Sequence, residues 1–188
     1  MKRIVWTYGL IAGAILAVLM AITMSVHERM SLNASLVIGY ATMILAFMMV
    51  FFGIRSYRDN VLGGAIRFGR AFNVGILITL VASACYVAAW QVIYRTMVPD
   101  YMEKYSARVL EEKRASGASE AELEAKRQEM ATMAEAYRNP LVNIGLTFLE
   151  VFPVGIVVVL VSAGVLSRKR TGIRAEVAGA PVGSSLES

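Results

Sequence analysis

A single carboxylate, that of Glu150, lies inside a long apolar stretch and is the side chain best placed to do chemistry. It comes about nine residues into a segment that can cross a bilayer, or roughly 13 Å below the membrane boundary at 1.5 Å per residue. An ionised carboxylate at that depth costs at least about 2.5 to 3.5 kcal/mol. We therefore expect Glu150 to be protonated, paired or close to water.

Further polar groups are predicted at the depth of Glu150. Pro153 lacks the amide hydrogen that would bond the carbonyl group of Leu149, so a kink there would expose backbone polarity beside the carboxylate. This polar locus could serve as a proton relay, a substrate contact or a gate. Alternatively, a protonated Glu150 could donate a hydrogen bond that fixes the packing of the helices. The other polar residues expected at this depth are Tyr40, Thr42, Ser83, Cys85 and Tyr86.

Other kinds of catalytic or metal site find no support in the sequence. His27 is the only histidine and Cys85 the only cysteine, which excludes a disulfide framework and a multi-cysteine zinc site. The sequence contains no P-loop, nucleophile elbow or Ser-x-x-Lys motif. We therefore expect no enzymatic activity, no bound metal and no cofactor.

Four apolar segments must position these residues. The chain is 57% hydrophobic and 18% charged, whereas a soluble domain carries about 25% charged residues. Each segment reaches the roughly 20 residues that a transmembrane helix needs, and none contains Lys or Arg. The first could instead be a cleaved signal peptide, but its apolar run exceeds the usual length of about 7 to 15 residues. The sequence thus predicts an all-α bundle with spans at residues 4–24, 33–54, 71–94 and 141–166.

The distribution of basic residues predicts the orientation in the membrane. Lys and Arg are enriched in cytoplasmic loops. One side of the predicted bundle carries ten of them and three acidic residues, whereas the long loop on the other side carries eight basic and nine acidic residues. We therefore predict an inner-membrane protein with both termini in the cytoplasm. Membrane topology accounts for the net charge of +5, so nucleic-acid binding is not needed to explain it.

Four arginines flank the glycine pair of the second connector. They suit contacts with anionic lipid headgroups or a phosphate group, although ordinary anchoring at the cytoplasmic surface is the simpler explanation. Asp59 could cap a turn there or pair with its neighbour. The arginines are Arg55, Arg58, Arg67 and Arg70.

The insert at residues 99–139 is predicted to form a helical hairpin outside the membrane on the extracytoplasmic side. Tyr101 and Tyr105 begin an i, i+4 pattern, and Ser119 with Glu122 forms the S-x-x-E signature of a capping box. The narrow apolar stripe would pack on itself, on the membrane surface or on a protein partner. Beyond the last span, residues 171–188 are rich in Gly, Ala and Ser and are predicted to be a disordered cytoplasmic tail.

Small residues at four-residue spacing predict close helix packing. Gly9 and Gly13 belong to such a ridge on the first helix, and Gly75 to another on the third. In lipid, small residues let backbones approach and gain van der Waals contact. We favour packing within one chain, with a homo-oligomer as the alternative.

Several of these elements together match a known family. They are the runs Tyr8–Gly13, Gly39–Phe47, Tyr57–Ala71 and Phe148–Gly155, the last reading FLEVFPVG. Over about residues 1 to 170 the chain resembles the domain of unknown function 4199 family of bacterial membrane proteins. The resemblance implies a four-helix integral membrane protein and supplies no biochemical activity.

Two hypotheses for function follow from the sequence. In the first, the protein is a non-enzymatic membrane scaffold or accessory subunit that presents the 99–139 hairpin to a protein partner. In the second, it is a small proton-linked transporter or channel subunit that uses Glu150. Four helices make a thin bundle for enclosing a solute path, which weighs against a monomeric transporter.

Overall fold

The computed structural model describes residues 1–26 and 31–168, a part of the chain that forms six α-helices. Four helices are long and apolar enough to span a membrane: α1 (Lys2–Val26), α2 (Leu32–Val61), α3 (Phe68–Thr96) and α6 (Pro140–Leu166). Between α3 and α6 lie two shorter helices, α4 (Tyr101–Ala115) and α5 (Glu120–Arg138). The predicted all-α fold of a membrane protein with a helical insert is thereby confirmed. The orientation in the membrane stays a prediction, and His27 and the tail at 171–188 lie outside the described residues.

The second helix continues well past its predicted end at residue 54. It ends at Val61, which places Arg55 and Arg58 on the helix and shortens the connector to residues 62–67. Asp59 supports the extra turns, because its carboxylate pairs with Arg58 at 2.7 Å and with Arg55 at 3.6 Å. A helix need not stop where the hydrocarbon stops, since polar residues extend it into the headgroup region. The chain then turns at Gly63 and Gly64, whose positive φ angles of 68° and 98° suit glycine.

Close glycine contacts hold the four long helices together. α1 packs against α2 and α3, and α6 packs against the same two helices from another side. A Cβ atom on Gly9 would lie 2.7 Å from the Cβ atom of Val81, and one on Gly13 would lie 2.5 Å from that of Cys85. Gly75 instead faces Ile54 of α2 and Val159 of α6. The ridge on α1 thus lies against α3 within one chain, whereas Gly75 points away from α1.

The second helix, α2, packs into the bundle along only part of its length. The buried residues of α2 all fall between Met43 and Tyr57, and none occurs in the first third of the helix, from Leu32 to Thr42. We call the end of the bundle that carries α4 and α5 the hairpin end, and the opposite end the arginine end. α2 therefore contributes to the core near the arginine end and diverges from it near the hairpin end. The core side chains with no exposed surface include Phe47, Val50, Ile54, Ile78 and Val151.

The hairpin is attached to the bundle by specific contacts. Gly117, with a φ angle of 84°, makes the turn between α4 and α5, and Leu123 and Met130 are buried. An oxygen of the Glu112 carboxylate accepts a hydrogen bond from the amide of Leu32 at 3.0 Å. Because the first amides of a helix have no partner within it, Glu112 satisfies an amide at the start of α2.

The predicted capping box at the start of α5 is confirmed and makes the hairpin sensitive to pH. The amide of Ser119 donates to the Glu122 carboxylate at 2.7 Å, and this bond, with one from the Ser119 hydroxyl group, holds the pKa of Glu122 below its usual range. A lowered folded-state pKa means that the stabilisation is complete above the unfolded value of about 4.3 and is lost as pH falls through the folded value.

We therefore expect amide hydrogen exchange in the first turn of α5 to accelerate below about pH 4.3, relative to its intrinsic rate. In Glu122→Gln the carboxylate is gone, so exchange in that turn should already be faster at neutral pH and should lose this pH dependence. Glu120→Gln, in the same turn, is the matched control and should behave as wild type. Equal protection of the turn in wild type and Glu122→Gln would contradict the prediction.

Candidate functional site

A cleft of about 160 Å³ lies near the hairpin end, where α2 diverges from the bundle. Apolar side chains of α1 and α2, including Leu16, Met20 and Leu36, form one wall. The α4 helix lies over the cleft through Tyr101 and Tyr105, and α3 and α6 contribute one residue each. The cleft thus has an apolar wall facing a wall of polar and aromatic groups.

Glu150 is the residue that α6 contributes to this cleft. It is the eleventh residue of α6, about 15 Å along the helix at 1.5 Å per residue. Its side chain is exposed, while that of the next residue, Val151, is fully buried. Within residues 1–26 and 31–168 no hydrogen bond to the Glu150 carboxyl group is observed, and both predicted roles of Glu150 stay predictions.

Three other predicted members of the polar locus line the same cleft: Tyr40, Thr42 and Tyr86. Tyr86 is only 8% exposed and is close enough to Glu150 and Tyr40 to interact with both electrostatically. Tyr40 is 47% exposed, and the hydroxyl group of Thr42 donates to the carbonyl oxygen of Gly39 at 2.8 Å. Because Thr42 bonds its own helix, the polar groups left to a ligand here are those of Glu150, Tyr40 and Tyr86. The Ser35 hydroxyl group also lines the cleft and has no hydrogen-bond partner among the described residues.

Three predicted members, Ser83, Cys85 and Pro153, do not line the cleft. Ser83 is fully buried, and its hydroxyl group has no hydrogen-bond partner among the described residues. Pro153 is exposed on the surface of α6, which continues as a helix on both sides of it. The structure therefore brings Glu150 together with residues of α2 and α3 but leaves Ser83, Cys85 and Pro153 outside the cleft.

Sequence reasoning missed the contribution of the hairpin to the cleft. Tyr101 and Tyr105 were predicted to lie on the stripe of a peripheral hairpin, but both line the cleft, and their rings stack at a centroid distance of 6.0 Å. The Trp90 ring lies nearly perpendicular to that of Tyr101, with the two ring centroids 5.1 Å apart. Burial is the main cause that raises the pKa of Tyr101, and the nearby Tyr137 and Glu150 side chains raise it further. The i, i+4 spacing of Tyr101 and Tyr105 predicts that both lie on one face of α4, but it does not predict what that face contacts.

Two hydrogen bonds fix the hairpin end around the aromatic groups. The indole Nε1 of Trp90 donates to the hydroxyl oxygen of Tyr137 at 3.0 Å, which joins α3 to α5. The side-chain amide of Gln91 donates to Oδ1 of Asn143 at 2.6 Å, which joins α3 to α6. The first bond lies next to the cleft, since Trp90 contacts Tyr101, which lines it. The two bonds hold α3, α5 and α6 in register beneath α4.

The predicted lipid-contact arginines lie at the opposite end of the bundle. Arg58, Arg67 and Arg70 line an open cleft of about 790 Å³ together with Arg168 from the end of α6. Arg55 is not part of its lining and pairs with Asp59. Contacts with lipid headgroups stay a prediction, as do a protein partner at the hairpin and a homo-oligomer. Among the described residues no three His, Cys, Asp or Glu side chains come together in a way that could hold a metal ion.

One comparison with known proteins gives a match. A family model described as "Protein of unknown function (DUF4199)" matches residues 7–168, which confirms the resemblance seen in the sequence motifs. No curated protein and no solved structure matches the chain.

Proposed function

Because the chain belongs to the DUF4199 family, whose function is unknown, we propose a function from the cleft itself: the protein binds an amphiphilic ligand there without catalysing a reaction. One observation carries the proposal. Glu150, near the middle of a transmembrane helix, faces the same cleft as an apolar wall of α1 and α2. A polar group exposed at that depth is costly without a partner, and a bound ligand would supply one.

The dimensions of the cleft favour partial enclosure of the ligand. A cavity of about 150 Å³ can hold a molecule of the size of benzene, so about 160 Å³ accommodates a head group or a short segment of chain. The remainder of an amphiphile would extend along the apolar wall toward the lipid. Leu36 on that wall is 59% exposed, which leaves a path out of the cleft between the helices.

The packing below the cleft favours binding over conduction. Phe47, Val50 and Ile54 of α2 have no exposed surface and lie against the side chains of α3 and α6 between the cleft and the arginine end. None of these three residues lines the cleft, whose lining on α2 ends at Met43. Of the two hypotheses from the sequence, we therefore develop the one that uses Glu150, with Glu150 as a ligand contact.

Quenching of Trp90 fluorescence tests the proposal. The chain has two tryptophans, and Trp6 lies near the arginine end with 58% exposure, so Trp6→Phe leaves Trp90 as the reporter beside the cleft. In this background we expect dodecyl maltoside with a brominated chain to quench Trp90 saturably in nanodiscs. Gly39→Phe should weaken that binding about tenfold, equivalent to roughly 1.4 kcal/mol.

Gly39 is suitable because it lines the cleft and a Cβ atom there would meet nothing within 4 Å, so the added ring fills the cleft without a backbone clash. Gly145→Phe on α6 is the matched control, since a Cβ atom there also meets nothing within 4 Å and Gly145 does not line the cleft. Quenching that rises linearly and equally in both variants would show that the probe reaches Trp90 only from the bulk lipid, and the proposal would fail.

A further inference from the structure

The lining of the cleft has a distinct chemical character. Its ionisable groups are four tyrosines and one carboxylate, and no Lys, Arg or His is among the described residues that line it. Arg108 of the same helix interacts electrostatically with Tyr101 but does not line the cleft. The arginine end lies across the packed core. The cleft therefore offers aromatic rings and a potential negative charge.

Aromatic rings beside a carboxylate favour a cation. The face of a tyrosine ring is electronegative and attracts an ammonium group within about 6 Å of its centre, more strongly when water is excluded. Glu150 would supply the counter-charge, and the cation would in turn offset the cost of an ionised carboxylate in the membrane. The carboxylate would repel an anionic head group. A neutral head group would gain neither the attraction to the rings nor the ion pair with Glu150.

Resting on the proposed function, we propose that the amphiphile carries an ammonium head group, held against the rings of Tyr86, Tyr101 and Tyr105 with Glu150 as its counter-ion. The groups come from separate helices, α3, α4 and α6, and meet only at this cleft. The rings of Tyr101 and Tyr105 stack on each other, and the Trp90 ring lies nearly perpendicular to that of Tyr101, so these contacts hold the two rings of α4 in place.

The volume of about 160 Å³ restricts what enters. A trimethylammonium group with the first methylenes of one chain fits, and a diacyl lipid does not fit as a whole. The same head-group chemistry occurs in a free alkylammonium ion and in the choline end of a phospholipid. The two sources differ in the phosphate group, which the second brings close to Glu150.

Competition against the brominated dodecyl maltoside tests the head-group preference. The protein is placed in nanodiscs of uncharged digalactosyldiacylglycerol, and the competitors share one chain length: dodecyltrimethylammonium, dodecylphosphocholine, unbrominated dodecyl maltoside and dodecyl sulfate. We expect dodecyltrimethylammonium to displace the probe at a concentration at least about tenfold lower than dodecyl maltoside does. Dodecylphosphocholine that competes equally well would identify a phospholipid head group as the ligand; weak competition would identify a free cation.

Two variants test whether the preference for the ammonium head group arises from residues of the cleft. Glu150→Gln and Tyr105→Leu should each reduce the advantage of the ammonium ion over the maltoside at least about threefold, since one removes the charge and the other a ring. Glu135→Gln, an exposed carboxylate on the hairpin, is the control for a general charge effect. Tyr105 lies on α4 outside the transmembrane bundle, so its variant keeps the test valid if Glu150→Gln fails to fold.

The outcomes separate the two proposals. Displacement by dodecyl sulfate or dodecyl maltoside as effective as that by dodecyltrimethylammonium would overturn the ammonium inference and leave amphiphile binding intact. An unchanged preference in both Glu150→Gln and Tyr105→Leu would also overturn it. If no competitor displaces the probe, and Gly39→Phe binds it as wild type does, amphiphile binding itself is wrong.

Discussion

Replacement of Gly155 by leucine is expected to destabilise the protein by about 2–3 kcal/mol, because the contact between α3 and α6 leaves no space for a side chain there. A Cβ atom on Gly155 would collide with the methyl group of Thr79 and lie 3.0 Å from the ring of Phe47. Both neighbours are fully buried. Neither can move without displacing α2 or α3, so the helices must separate.

The free energy of unfolding in mixed micelles, followed by circular dichroism as SDS is added, measures this effect. Gly155→Ala should lie between wild type and Gly155→Leu, since it introduces the Cβ atom alone. Gly145→Leu is the control on the same helix, because the space around Gly145 is open and loss of a glycine favours the helix by up to about 1 kcal/mol. If Gly155→Leu and Gly145→Leu unfold alike, the close approach of α3 and α6 is wrong.

The fold was largely predictable because the bilayer imposes a length on each helix. An apolar run of about 20 residues is a strong signal, and all four predicted spans lie within observed helices. The ridges of small residues show what the sequence does not predict. Four-residue spacing predicts that Gly9 and Gly75 allow close packing, but it does not name the partner helix. Gly9 faces α3, whereas Gly75 faces α2 and α6.

The depth of the site residues along their helices was predictable, but the direction of their side chains was not. A rise of 1.5 Å per residue places Ser83 and Tyr86 at nearly the same level as Glu150. Which of the two side chains faces the cleft depends on the rotation of α3, which is set by its contacts with α1 and α6. The Ser83 side chain lies in the core, whereas the Tyr86 side chain lines the cleft. Polarity alone could not separate them.

The part of the site on the hairpin was beyond sequence reasoning for another reason. Tyr101 and Tyr105 lie about 50 residues from Glu150 in the sequence, outside the membrane-spanning segments. Their position over the cleft depends on distant contacts, such as that between the Trp90 ring and Tyr101 and that between the Glu112 carboxylate and the Leu32 amide. An i, i+4 pattern records one helix face and carries no information about a partner of this kind.

Phe47→Ala is expected to cost about 2–3 kcal/mol of stability. Phe47 has no exposed surface and lies one helical turn from Met43, which lines the cleft. In soluble proteins a buried Phe→Ala change costs about 3–5 kcal/mol, of which part is transfer from water. That part is absent when the helices remain in lipid, so the loss reflects the contacts around the cavity.

The matched control is Phe52→Ala on the same helix, because Phe52 is 38% exposed and its removal leaves no enclosed cavity. We expect Phe52→Ala to cost less than about 1 kcal/mol in the same SDS titration. Equal losses for Phe47→Ala and Phe52→Ala would contradict the packed core below the cleft.

Phe47→Ala also bears on the cleft itself, because the Phe47 ring lies between Met43 and the core residues toward the arginine end. Its removal would add volume directly below the lining of the cleft. In the Trp6→Phe background, quenching of Trp90 by the brominated dodecyl maltoside should then persist with a lower affinity, since the enlarged space fits the probe less closely. Complete loss of binding would mean that the ligand reaches deeper than Glu150, whereas an unchanged affinity would place it wholly between Glu150 and the hairpin.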